Sequence, residues 1–429
     1  MKNQKRLARH PEKQIMALTP TLKPLSLSGK TAYILLLPFL LLFFRGLADA
    51  TVLLTAISFL WHSKKTGDWR WARNDWFVVS LITWAYLIFI SGPLGYNPSA
   101  SALYSVAYLR WPVFAAALAF WVFSDASALK LFGQAMLATV LFIMFDTFWQ
   151  LYNGTDLFGI EKFATFRLTG PMRSPIPGAL TLRFFFIALL ALNASRWLKK
   201  PSLQLSMSSG FFLLALLFTF STGERMSFLL AIASSVFILP ALSLAYPKYT
   251  KRLIYSLFVG LLFFALLSFL QPEIYHRAVT SFIASLQNFS SDPYGKVFST
   301  AVELWKEYPL TGVGLHNYSE ACLNMIGDNV FDSCQRHPHN IYLGWLTQAG
   351  LIGLLLFTLT VIMICRHSLW MPANSQQWIL MGCVSATLFV IFWPIGSASS
   401  FFNNWFGAVI WCSVGWALAT RRITETSPS

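Results

Sequence analysis

Charge is what this chain has least of. Only 11% of its 429 residues are Asp, Glu, Lys or Arg, against 56% hydrophobic residues. That balance excludes an ordinary soluble fold, because so few charges cannot cover the surface of a chain this long. Acidic residues are scarcest, 17 against 32 Lys plus Arg, for a net charge of +15. The excess sits in Met1–Lys30, in Lys64, Lys65, Arg70 and Arg73, in Arg196, Lys199 and Lys200, in Lys248, Lys251 and Arg252, and in Arg421–Arg422. Short basic segments between apolar runs mark cytoplasmic loops and suit anionic lipid head groups. No nucleic-acid partner is expected.

Other absences narrow the field further. No phosphate-binding loop and no strand–Gly-rich-turn–helix pattern is present, which excludes an ATP-driven pump. Any reaction must therefore draw on an already activated donor. Internal repeats with matching broken helices are missing too, which argues against a transporter or flippase. No cleavable leader is evident, so the N-terminus is expected in the cytoplasm. With five cysteines a disulfide scaffold is out. Cys365, Cys383 and Cys412 lie in or beside apolar runs, whereas Cys322 and Cys334 share a polar loop and can form a disulfide if it faces an oxidising compartment.

What is abundant is apolar sequence in runs long enough to cross a bilayer. Twelve spans are expected at about 31–46, 48–61, 77–92, 108–124, 130–151, 179–196, 208–222, 226–246, 253–270, 340–365, 377–394 and 404–420. The fold class is all-α integral membrane, one polytopic domain over residues 1–429 with both termini cytoplasmic. Parity then places two long segments outside, 152–178 and 271–339. The second holds seven acidic residues against four Lys/Arg and is partly helical, since Asp292–Tyr308 has helical spacing and suggests an amphipathic helix on the membrane surface.

Ionisable residues near apolar spans are costly and usually line a cavity. Arg45, Asp49, Arg110, Asp146, Glu224 and Arg225 all fall near the outer ends of the spans. Snorkelling or structural pairing is the plain alternative. Arg225 stands out because Ser221-Thr-Gly-Glu-Arg-Met-Ser227 interrupts two apolar runs. Arg167 and Arg173 lie on a Gly/Pro-rich loop whose backbone can approach an anion. Three of seven histidines, His316, His337 and His339, fall within 24 residues. Zinc held by His337 and His339 with Asp332 or Cys334 is one reading, but the usual ligand spacings are missing and no metal is expected. The favoured reading is a general base, because imidazole titrates near working pH.

At His339 the residues resemble a known pattern: His, then Asn, Ser or Gln, nine residues, Gly, two residues, and Gly, Thr or Tyr. His339-Asn340, Gly350 and Gly353 meet it, while His316-Asn317 reaches Gly327 but fails at Val330. With Arg167-Leu-Thr-Gly170, Ser221–Ser227 and Leu310-Thr-Gly-Val-Gly314, the chain resembles the bacterial O-antigen ligases, whose superfamily includes O-antigen polymerases and protein O-oligosaccharyltransferases. The resemblance implies a metal- and ATP-independent, inverting glycosyltransferase of the inner membrane with a periplasmic site and no cofactor. It would move O-antigen polysaccharide from undecaprenyl pyrophosphate to lipid A-core. It implies His339 as base with His337 as rival, Asn340 orienting the imidazole, and Arg225 and Arg167 on the pyrophosphate, with Arg173, Arg110 and Arg45 as further candidates. A polymerase or a protein-directed transferase differs only in acceptor, and a flippase is the alternative of another class.

Overall fold

Within a membrane every backbone N–H and C=O needs an internal partner, so long apolar runs fold as helices. The computed structural model describes residues 28–326, 334, 337–395 and 400–426. The basic segment before residue 28, Asp332 and Arg336 lie outside the described residues. All regular structure described is helical, with three isolated β-bridges.

Each of the twelve expected runs lies on a helix: Gly29–Phe43, Arg45–Thr66, Asp75–Ser91, Pro98–Val122, Ala126–Asn153, Pro177–Asn193, Pro201–Ser221, Arg225–Ala245, Pro247–Leu270, Ile341–Ser368, Ser375–Phe392 and Asn404–Thr426. Among the described residues, seven of these helices are long and apolar enough to cross a membrane by themselves. Gly29–Phe43, Asp75–Ser91 and Pro177–Asn193 are apolar but shorter. The remaining two are Arg45–Thr66 and Asn404–Thr426. The second is buried almost without a break from Trp405 to Thr420, packed among helices 45–66, 98–122, 341–368 and 375–392. A helix surrounded by protein has no need of a lipophilic face, which is why its apolar signal is weak. Helix 177–193 is equally central, buried from Pro177 to Leu189 between helices 126–153, 201–221 and 375–392. Helix 250–270 is the opposite case: Leu253 is its one buried residue, and the rest offers an apolar surface suited to lipid.

Two expectations change. The run read from residue 108 is helical from Pro98, because the Asn97 side chain accepts the Ala100 N–H and proline suits the first helical position. Its early turns bury Ser101 and Ser105 instead of large apolar groups, so hydropathy missed them. The amphipathic helix Pro293–Glu307 is present, with Asp292 accepting from the Tyr294 N–H at 2.9 Å. However, its apolar face does not lie against a membrane surface. Val297, Ala301 and Leu304 are buried, Ala301 and Leu304 against Tyr318, Ala321, Cys322 and Cys334, and the helix also packs on helix 341–368. A polar segment that can assemble this second small core has no apolar stripe left for lipid.

Candidate active site

The helices starting at Arg45, Pro177, Arg225, Ile341 and Asn404 bring their N-termini to one end of the molecule. Arg45 bonds Ser174 and lies over Trp405, Glu224 accepts from Gly178, and the Ile341 N–H bonds the Pro394 carbonyl. Helix N-termini carry partial positive charge, so this end favours anions before any side chain is counted.

His337 and His339 lie here with ring centroids 4.2 Å apart, and Tyr294 meets His339 edge-on at 5.6 Å. Their positions follow from the segment that joins them to helix 341–368. Asn340 accepts the Tyr342 and Leu343 N–H groups at 3.0 and 3.1 Å, capping that helix, and pairs with Ile395 in an isolated bridge. The Asn340 oxygen thus serves the helix. Immediately before the cap, His339 has φ 52°, a left-handed conformation uncommon for a side-chain-bearing residue. Burial lowers the His339 pKa below 6.5, which keeps the imidazole neutral and able to accept a proton. Beside the two histidines a cleft of about 20 Å³, room for roughly one water, is lined by Arg183, Phe401, Phe402 and Phe406.

Arg183 was not among the sequence candidates. It is 2% exposed, stacks over Phe406 at 4.1 Å and donates to the Ala179 carbonyl at 2.5 Å. The signal was present, an arginine inside the apolar run Thr181-Leu-Arg-Phe-Phe-Phe186, and by itself that is a marker of function in a membrane helix.

The second half of the site is cationic. Arg167, Arg225 and Arg277 are half-buried and close enough that the charges of the first two, after burial, push Arg277 down to about 10. Arg277 donates to the Gly223 carbonyl at 3.0 Å and lies over Phe166 at 5.0 Å, whereas Arg225 meets Ser285 at 3.3 Å and Arg167 bonds the Pro175 carbonyl at 2.8 Å. Gly223, at φ 70°, fits the crowded turn because a Cβ there would strike the Phe166 carbonyl. Three guanidinium groups held together repel one another, and a multiply charged anion relieves that repulsion with bidentate hydrogen bonds. Arg277, carried on a widened helical turn at 276–280, was missed because it lies in a polar segment where an arginine is unremarkable. Tyr294 lies within electrostatic range of Arg277 and against His339, so it links the two halves.

Glu224, 1% exposed, accepts Gly178 and Ala179 N–H groups at 2.6 and 2.9 Å and the Ser227 hydroxyl at 2.9 Å. It caps helix 177–193; burial raises its pKa, while the Arg167 charge and these donors oppose the rise.

The other candidates make contacts of their own. Arg110 pairs with Asp49 at 3.2 Å and donates to Asn404 at 2.7 Å. Arg45 holds the 170–178 loop through Ser174, and Arg173 on that loop is exposed at φ 52°. Asp146 accepts the Leu157 N–H and so orders the 152–178 segment. His316 stacks on Tyr104 at 3.9 Å, and its backbone N–H donates to the Gln348 side-chain oxygen at 2.9 Å. Cys322 and Cys334 are joined, with Cα atoms 5.6 Å apart, so Cys334 offers no thiolate to a metal.

The two glycines of the histidine pattern have a structural reason. Gly350 has φ 67° and ψ −172° inside helix 341–368 and breaks it. The loop 309–314 fills the break: Val313 and Gly314 donate to Thr347 and Gln348, and Leu351 and Ile352 donate to Pro309 and Leu310. Gly353 faces Tyr86, whose hydroxyl bonds the Ala349 and Leu310 carbonyls.

Fold and site together define a multi-pass helical membrane protein with a basic, imidazole-bearing site at one end of its bundle. Residues 210–358, about a third of the chain, match the family model described as O-Antigen ligase, in support of the O-antigen ligase/polymerase superfamily. The matched stretch contains Arg225, Arg277, Tyr294, both histidines, Asn340, Gly350 and Gly353, and leaves out Arg167 and Arg183. No curated protein matches the chain.

Proposed function

We propose that the protein is an O-antigen ligase that transfers polysaccharide en bloc from undecaprenyl pyrophosphate to lipid A-core. The observation that carries this reading is the meeting of three arginines with a histidine pair through Tyr294. Arg167, Arg225 and Arg277 hold the donor pyrophosphate, whose negative charge they offset without a metal. His339, neutral through burial, takes the proton of the acceptor hydroxyl. The hydroxyl oxygen bonds the anomeric carbon as its bond to the pyrophosphate oxygen breaks, and the electron pair departs with the arginine-bound pyrophosphate. Attack opposite the leaving group inverts the anomeric configuration. His337, 4.2 Å from His339, is the alternative base.

In this reading all twelve helices cross the bacterial inner membrane, both termini are cytoplasmic, and the site with segments 152–178 and 271–339 faces the periplasm. The converging helix N-termini and the basic segments at the opposite helix ends support that sidedness. A deletion strain tests the activity: core lipopolysaccharide without polymer, with lipid-linked polymer accumulating, is the expected outcome. Accumulated single repeat units would indicate a polymerase instead, and missing protein glycans a protein-directed transferase. For the residues, Arg225→Ala or Arg277→Ala should raise the donor KM about 10- to 100-fold, the equivalent of about 1.5–3 kcal/mol for a hydrogen bond to a charged group. His339→Ala with wild-type turnover would remove the base assignment.

A further inference from the structure

A cavity of about 530 Å³ adjoins the arginines, bounded by Thr165, Phe166, Glu273, His276, Arg277 and Ser281. Arg277 is its one wall in common with the cationic cluster. The volume falls within the range of small-molecule sites, about 300–1,000 Å³, and a diphosphate alone would leave much of it empty.

The lining is also wrong for phosphate alone. The Glu273 carboxylate makes no ion pair or hydrogen bond among the described residues, while its backbone carbonyl accepts the His276 N–H. A carboxylate here repels an anion, so the part of the ligand that meets it must bring hydrogen-bond donors and no negative charge. His276 Nδ1 lies 3.3 Å from the Ser281 hydroxyl, which orients the ring and leaves the other nitrogen for a ligand. The Thr165 and Ser281 hydroxyls both donate and accept. Phe166 adds an apolar ring with Arg277 5.0 Å over it. Carboxylate, imidazole, hydroxyls and an aromatic ring are the groups that read a neutral polyhydroxylated ring.

We infer that this cavity is the subsite for the sugar attached directly to the donor pyrophosphate, with Glu273 and His276 as its specificity-determining residues. The inference rests on the arginine cluster holding that pyrophosphate. Arg277 then lies at the junction, touching phosphate on one side and sugar on the other. A site built to bond hydroxyls binds poorly whatever lacks them, because its polar groups are left unpaired.

Binding to the purified full-length protein in nanodiscs tests this, with two probes: undecaprenyl pyrophosphate and undecaprenyl pyrophosphate carrying one N-acetylglucosamine. The wild type should bind the sugar-bearing lipid at least tenfold more tightly. The double variant Glu273→Ala/His276→Ala should lose that preference while binding the sugarless lipid as the wild type does, which also shows that it is folded. Arg277→Ala should weaken binding of both lipids. A wild type with no preference, or a double variant that retains it, overturns the subsite. A wild type that binds neither lipid overturns the donor reading beneath it.

Discussion

Substituting Gly350 by alanine should damage this protein far more than its position in a helix suggests. The backbone there, φ 67° and ψ −172°, belongs to a region that glycine alone occupies freely. Holding alanine in it costs about 1–3 kcal/mol. The new Cβ would also overlap the Leu310 carbonyl and the Thr311 nitrogen, backbone atoms that cannot swing aside as a side chain would. The loop 309–314 must then retreat, and it is held by four backbone hydrogen bonds to Thr347, Gln348, Pro309–Leu351 and Leu310–Ile352. Losing two to four of these at about 1 kcal/mol each brings the total to about 3–7 kcal/mol. Against a typical stability of about 5–15 kcal/mol that is a severe loss. Gly46→Ala is the control: it lies in helix 45–66 with open space around its Cβ position, so alanine should be neutral or stabilise by up to about 1 kcal/mol. Thermal unfolding in detergent, followed by a thiol dye, reads both variants, because Cys383 and Cys412 are free and fully buried until the bundle opens. If Gly350→Ala melts together with the wild type and with Gly46→Ala, the account of the helix break is wrong.

Two further outcomes follow from the histidine segment. Burial lowers the His339 pKa, so the proton-accepting neutral form persists below the ordinary value of 6.5, and the acidic limb of kcat/KM should fall below that pH. A limb above pH 7 would mean that a nearby negative charge, and not burial, governs this imidazole. Asn340 caps helix 341–368 through its oxygen, so Asn340→Asp should keep the cap and most of the activity, while Asn340→Ala loses about 1 kcal/mol of stability. Equal inactivity of the two variants would show instead that the Asn340 amide acts on the imidazole.

The structure also bears on how the site is divided along the chain. The family match ends within helix 341–368 and begins within helix 201–221, yet the cationic cluster needs Arg167 from outside it. Arg167 is brought in because the 164–168 segment pairs with the turn at 222–224, Leu168 N–H to the Thr222 carbonyl. Glu224 supports that turn from the other side by capping helix 177–193.

The positions of the twelve helices were legible in the sequence because lipid leaves a backbone no other choice than to satisfy itself locally, and local patterns are what a sequence displays. His339, Arg225 and Arg167 stood out as candidates for a related reason: polar groups interrupting apolar runs, or in a turn-rich loop, call for a partner. What tertiary structure alone decided was partnership. Arg110 and Arg45 look like Arg225 in the sequence, but folding pairs Arg110 with Asp49 and sets Arg45 against Ser174 and Trp405, while it brings Arg225 close to Arg167 and Arg277. Arg277 and Tyr294 look like ordinary loop residues until folding sets them between the arginines and the histidines. Likewise the apolar stripe of helix 293–307 required an apolar partner, which the sequence reading took to be the membrane surface, whereas the residues it packs against, Tyr318, Ala321 and Cys322, were fixed by the chain folding back on itself. A sequence records which groups need a partner; which partner they meet depends on contacts between residues far apart in the chain.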